Sequence, residues 1–99
     1  VKEYILQLNK IFENRYRLGI MSLLMLHESL DFNSMKLDLD ITDGNLASHM
    51  AALENAGYVQ VKKETEGSRS ITSYSATPEG RKAFSTHLDM LEKILKNIQ

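Results

Sequence analysis

Apolar positions recur at helical spacing through the first third of the chain. Tyr4, Ile5, Leu8, Ile11 and Phe12 form a wide apolar face and predict a helix over residues 1–13. Arg15 to about Leu30 predicts a second helix. Leu18, Met21, Leu24 and Met25 lie on one side of it, with Ile20, Leu23 and His27 nearby. A helix apolar almost all round belongs at the centre of a core. Asn14 serves as the C-cap of the first helix or the N-cap of the second. Asp31-Phe32-Asn33-Ser34 reads as a turn with Phe32 buried, or a short strand pairing with later strands. Asn33 or Ser34 then caps a short helix ending near Leu39, with Leu37 and Leu39 as its core contacts. Asp40-Ile41-Thr42 is the next turn, with Ile41 plugging the core beneath it.

The stretch from about Asp43 to Ala56 opens on Thr42 as cap, with Asp43 at the positive end of the helix dipole. Leu46, Met50 and Leu53 fall at i, i+4 and i+7, one buried stripe. Gly57 suits the left-handed residue that ends such a helix. The period then drops to two. Residues 58–63 and 71–76 are rich in β-branched and aromatic side chains, and the polar run Glu64 to Ser70, with one glycine, joins them as a hairpin. Thr77, Pro78 and Glu79 open a last helix running to near Gln99, about 30 Å long. Phe84, Leu88, Leu91, Leu95 and Ile98 are spaced 4, 3, 4, 3 along it, a heptad seam that Met90 and Ile94 widen. Helix, turn, helix and hairpin make a mainly α fold with a small β-hairpin, a winged helix-turn-helix, as a single domain over residues 1–99. The terminal helices, 1–13 and 78–99, are the expected homodimer interface, through Tyr4, Ile5, Leu8, Leu88, Leu91, Ile94, Leu95 and Ile98.

Composition narrows the function. There is no cysteine, hence no disulfide and no thiolate ligand, which suits a reducing cytoplasm. No apolar run approaches a membrane span, and VKEYILQL does not read as a signal peptide. His27, His49 and His87 fall on three different predicted helices without ligand spacing, so no metal site and no cofactor is expected. His27 reads as a core-edge residue, and His87 as a solvated or interface one. No phosphate loop or nucleophile elbow occurs, so an enzyme is not expected. Net charge is −1, and from Glu28 to Glu54 six acids (Glu28, Asp31, Asp38, Asp40, Asp43, Glu54) face Lys36 alone. Cations gather elsewhere, at Arg15 and Arg17, Lys62 and Lys63, Arg69, and Arg81 and Lys82.

Asn45, Ser48, His49 and Ala52 point away from the apolar stripe of the 43–56 helix. Short polar side chains there suit a helix lying in a DNA major groove, although a merely solvated face has the same pattern. Arg15 and Arg17 stand at a helix start, where a cation opposes the dipole; they hold a phosphate, or pair with Glu13 or water. Arg69 at the hairpin tip suits a phosphate or the minor groove, or is a solvated loop residue.

Taken in order, NRYRLGIMSLL, LDITDGNLASHMAALENAGYV and ITSYSATPEGRKAF resemble the second helix, the recognition helix, and the wing strand with the start of the last helix in compact winged-helix transcriptional regulators of the MarR/ArsR-like group. The resemblance covers about residues 10 to 90. It implies a prokaryotic DNA-binding regulator that dimerises through its terminal helices. The expected base contacts are Asp43, Gly44, Asn45, Ser48 and His49. The expected backbone and wing contacts are Arg15, Arg17, Lys62, Lys63, Ser68 and Arg69, with the wing at residues 62–71. The partners are then double-stranded DNA and a second copy of the chain, with any small-molecule effector unknown. The alternative is a winged helix reused as a protein-interaction module, which the acidic helix pair favours. An electrostatic map of the dimer discriminates the two.

Overall fold

The computed structural model describes residues 1–99. Five helices and three strands follow one another as α1 (Lys2–Ile5), a single 3-10 turn (Lys10–Phe12), α2 (Arg15–Leu26), β1 (Leu30–Asp31), α3 (Phe32–Leu39), α4 (Asp43–Asn55), β2 (Val59–Glu66), β3 (Arg69–Ala76) and α5 (Pro78–Ile98). This is the mainly helical winged-helix fold with a long C-terminal helix. The sheet is antiparallel, ordered β1-β3-β2, with Leu30 opposite Tyr74 and Val59 opposite Ala76.

Local chemistry accounts for the boundaries. Asn14 adopts an extended conformation and its side chain accepts from the N–H groups of Tyr16 and Arg17, which starts α2. Thr42 does the same for Asn45 at the start of α4. Gly57, at φ +80°, ends α4: its N–H reaches Glu54 O and that of Tyr58 reaches Leu53 O, the two bonds of a Schellman motif. Thr77 caps α5 by accepting from Gly80 N–H, and its hydroxyl donates to Gly57 O. This one side chain fastens the end of α4 to the start of α5.

The core runs through Ile20, Met21 and Leu24 of α2, Met35, Ile41, the Leu46–Met50–Leu53 stripe of α4, Val59, Ala76 and Phe84. Phe12 is its aromatic hub, stacked on Tyr58 at 5.2 Å and edge-on to Phe84 at 5.1 Å and His87 at 5.5 Å.

Several sequence expectations are corrected. The first helix does not run over 1–13. It stops at Ile5, and Asn9 takes an extended conformation with its side chain capping the 3-10 turn. The Asn9 N–H donates to His87 Nδ1 and its side-chain amide to the Tyr58 hydroxyl, both at 3.0 Å. Two distant partners therefore outbid one more helical turn. α2 ends at Leu26, with His27 extended and exposed, not at the core edge. His87 is 3% exposed, a buried acceptor and not a solvated residue. The short helix starts at Phe32, and its inner face is Phe32, Met35 and Leu39, at i, i+3 and i+7, which leaves Leu37 80% exposed. Asp31 is its cap residue, not Asn33 or Ser34. The wing strands run to a two-residue turn at Gly67-Ser68, with Glu66 opposite Arg69, instead of opening into a loop from Glu64 to Ser70. A positive φ at Gly67 alone fits the II′ turn that such hairpins favour.

Candidate nucleic-acid interface

α4 carries its buried stripe on one side and leaves Asp43, Gly44, Asn45 and Ser48 exposed on the other. Asn45 and His49, four apart, share that outer face. His49 is half-buried. Its Nδ1 lies 3.0 Å from Arg17 Nη1, and the Tyr16 ring tilts over it at 5.7 Å. Burial first, and the Arg17 charge second, hold the His49 imidazole below its usual range.

Arg17 is correspondingly committed. Its Nε donates to Ile11 O at 2.6 Å, so the side chain reaches back to the 3-10 turn while its tip meets α4. The salt bridge to Glu13 does not form for Arg15 or Arg17; the three ion pairs are Lys36–Asp43, Lys62–Glu64 and Lys96–Glu92. The first of these, at 2.7 Å, places the one cation of the acidic stretch against the first residue of α4. Ser34 donates to Asp31. Arg81, counted among the basic residues by sequence, reaches Leu24 O near the end of α2 and the Met25 sulfur. It neutralises a helix C-terminus and is not free for a ligand.

The wing separates two residues that stand together in the sequence. Lys62 and Lys63 alternate across β2 and point to opposite faces. Lys63 shares a shallow surface hollow with Glu54 of α4, Val61, Thr72 and Tyr74. Lys62 lies with Glu28, Ser29, Gln60 and Glu64, and pairs with Glu64 at 2.9 Å. Ser68 and Arg69 are exposed at the tip. The site therefore brings together α4, Arg17 and Tyr16, and keeps Lys62 on the other side of the hairpin. Tyr16 and the Asp43–Lys36 pair had no local signal: the Arg17–His49 contact spans 32 positions, beyond any periodicity.

The second apolar surface lies on the terminal helices. Ile5, Leu88, Leu91, Leu95 and Ile98 are exposed, and Tyr4, Leu8 and Ile94 are half-buried. The Lys93 ammonium sits over the Tyr4 ring, 5.9 Å from its centroid. No helix is long and apolar enough to cross a membrane.

Relatives agree with this architecture. An uncharacterized protein of Methanocaldococcus jannaschii is 38% identical over 90 residues, 91% of this chain and 98% of its own. The solved structure of a transcriptional regulator homologue from Pyrococcus horikoshii OT3 superposes with a TM-score of 0.87 at 31% identity, covering 99% of this chain and 95% of that one. A putative MarR-family transcriptional regulator from Porphyromonas gingivalis W83 shares the fold at 22% identity, with a TM-score of 0.67 over 88% of this chain and 80% of that one. Residues 16–95, from the Tyr16 beside His49 to Leu95 near the end of the apolar seam on α5, match the family model described as a winged helix DNA-binding domain, and the chain belongs to that family of transcriptional regulators.

Proposed function

We propose that the chain regulates transcription by binding double-stranded DNA as a homodimer, with α4 in the major groove and the wing against the backbone or minor groove. The observation that carries this reading is the division of α4. Its Leu46–Met50–Leu53 stripe is buried, and the short side chains of Asp43, Gly44, Asn45 and Ser48 are all exposed. A helix that packs by one face and offers small polar groups on the other fits a groove about 12 Å wide. Arg15, Lys63, Ser68 and Arg69 are the backbone contacts in this reading; Lys62 contributes less because Glu64 neutralises it. A two-fold dimer would present two such helices to successive grooves, so the site is an inverted repeat with half-site centres about 10–11 base pairs apart, or a multiple of that.

The test is a salt titration on a duplex selected from a random-sequence library. Lys63→Ala should weaken selected and unselected duplexes alike. It should make the slope of log affinity against log salt shallower by about one unit for each phosphate no longer neutralised, about two in a dimer. Asn45→Ala or Ser48→Ala should change sequence preference and leave that slope intact. A Lys63→Ala slope equal to that of the unmutated chain removes Lys63 from the phosphate-binding residues.

The second reading, a protein-interaction module, rests on the acidity of the helix pair. Lys36 is paired with Asp43, which leaves Glu28, Asp31, Asp38, Asp40 and Glu54 without a cation within 4 Å. Absence of binding to any duplex at low salt decides for that reading.

A further inference from the structure

Arginine has five N–H donors and no acceptor. The 3.0 Å contact between Arg17 Nη1 and His49 Nδ1 therefore requires Nδ1 to accept, and a neutral His49 then carries its proton on Nε2. Nothing else in the chain takes up that proton. Nε2 has no hydrogen-bond partner, and it is not among buried polar atoms left unpaired, so it faces solvent. Arg17 cannot easily move off this contact. Asn14 caps its backbone N–H, Ile11 O holds its Nε at 2.6 Å, and Tyr16 tilts over the far ring. The ring is thus held at one nitrogen by a tethered cation and leaves the other open to solvent, on a half-buried residue one turn after the exposed Asn45.

We propose that Arg17 is a positioning residue for DNA readout: it fixes His49 as the Nε2–H form, so that each α4 offers one oriented donor to an acceptor on a base edge in the major groove, of the purine N7 type. This rests on the DNA-binding reading above and replaces the phosphate contact that the sequence suggested for Arg17. Arg17 acts through His49 instead of gripping a phosphate. The major groove offers acceptors at purine N7, guanine O6 and thymine O4, and the N7 assignment is read out by substituting that one atom.

Two measurements test it. The first is the long-range proton–nitrogen spectrum of His49 in the free, unmutated protein, which needs neither DNA nor a variant that folds. It should show a protonated Nε2 and a bare Nδ1 at neutral pH; in Arg17→Met the two forms should mix. A protonated Nδ1 in the unmutated protein overturns the proposal. The second is binding to the duplex selected by the unmutated chain. Arg17→Met and His49→Phe should each weaken it about three- to tenfold per protomer, the worth of one hydrogen bond, and so about ten- to a hundredfold for the dimer. The double variant should lose no more than His49→Phe alone, because the two residues act as one unit. Replacing the contacted purine with its 7-deaza analogue should reproduce the loss; sensitivity to a methylphosphonate linkage in its place overturns the base-edge assignment. A salt slope made shallower by about one unit per protomer in Arg17→Met also overturns the proposal, since it would mark a direct phosphate contact. If no duplex binds at low salt while the Nε2–H form is intact, the DNA reading falls and takes the donor's role with it.

Discussion

Gly80 and Gly44 both lie in the first turn of a helix, and the space around them differs. A Cβ on Gly80 would run into the Tyr58 carbonyl, a backbone atom held by its own bond to Thr77 N–H. Nothing lies within 4 Å of a Cβ on Gly44. We expect Gly80→Ala to lower stability by about 1–3 kcal/mol or more through overpacking. Gly44→Ala should raise it by about 0.4–1 kcal/mol by restricting the unfolded chain, while hindering the approach of α4 to DNA. Urea denaturation of the two variants checks the signs; equal effects would mean that the α4–α5 junction is looser than its bonds imply. At this scale the sequence was legible where one residue's chemistry decides. The caps at Asn14, Thr42 and Thr77, the Gly57 terminus and the Leu46–Met50–Leu53 stripe all follow from local rules. It was not legible where the partner is remote. His27 and His87 exchanged expected environments because apolar spacing along one helix says nothing of which neighbour covers it. Leu37, expected in the core, is exposed because Phe32, Met35 and Leu39, at i, i+3 and i+7, make the inner face of this short helix.

Among the elements, the N-terminal segment and α5 are joined by a bond with a titratable acceptor. Asn9 N–H donates to His87 Nδ1, and burial holds the His87 imidazole below its usual value near 6.5, with Glu13 pulling the other way. His49 is depressed as well. Both groups therefore take up protons more readily in the unfolded chain. That contribution to stability is complete above about pH 6.5 and declines as pH falls below it toward the folded-state values. Protonation of His87 also puts a hydrogen on Nδ1, where Asn9 N–H already points. Acidification should lower the urea midpoint and speed hydrogen exchange at the Asn9 amide. His87→Leu should cost about 1–3 kcal/mol at pH 7.5, leaving that amide unpaired, and should flatten the pH dependence to what His49 retains. A pH dependence of the same steepness in His87→Leu would remove His87 as its source. The bond spans 78 residues, which is why the pattern of apolar positions continued a helix through Asn9 that the fold interrupts.

The whole molecule is longer than its size requires. Its radius of gyration is 15.0 Å, where about 13 Å is usual for 100 residues, and its extents are 54 × 26 × 21 Å. The excess length fits the far end of α5, where burial ends at Met90 and the heptad continues without a cover. Leu91 is 40% exposed, Leu95 53% and Ile98 76%, on the same side of a helix whose other face carries the Glu92–Lys96 pair. Leaving those leucines in water forgoes roughly 1.5–3 kcal/mol for each one fully buried. A second copy of the same seam, related by a two-fold axis, would cover these side chains with those of its partner, residue i against j and j against i. The homodimer proposed above would bury this seam, and the proposed inverted repeat presupposes that dimer. Sedimentation equilibrium should give a mass that rises to twice the monomer with concentration. Leu91→Asp or Leu95→Asp should shift that equilibrium to monomer, or lead to aggregation, without disturbing the α4 stripe. Specific binding should then fall together with the dimer, while a single half-site retains the weak, salt-sensitive affinity of one winged helix. A mass that stays monomeric at every concentration in the unmutated chain would refute the dimer and leave the seam for another partner.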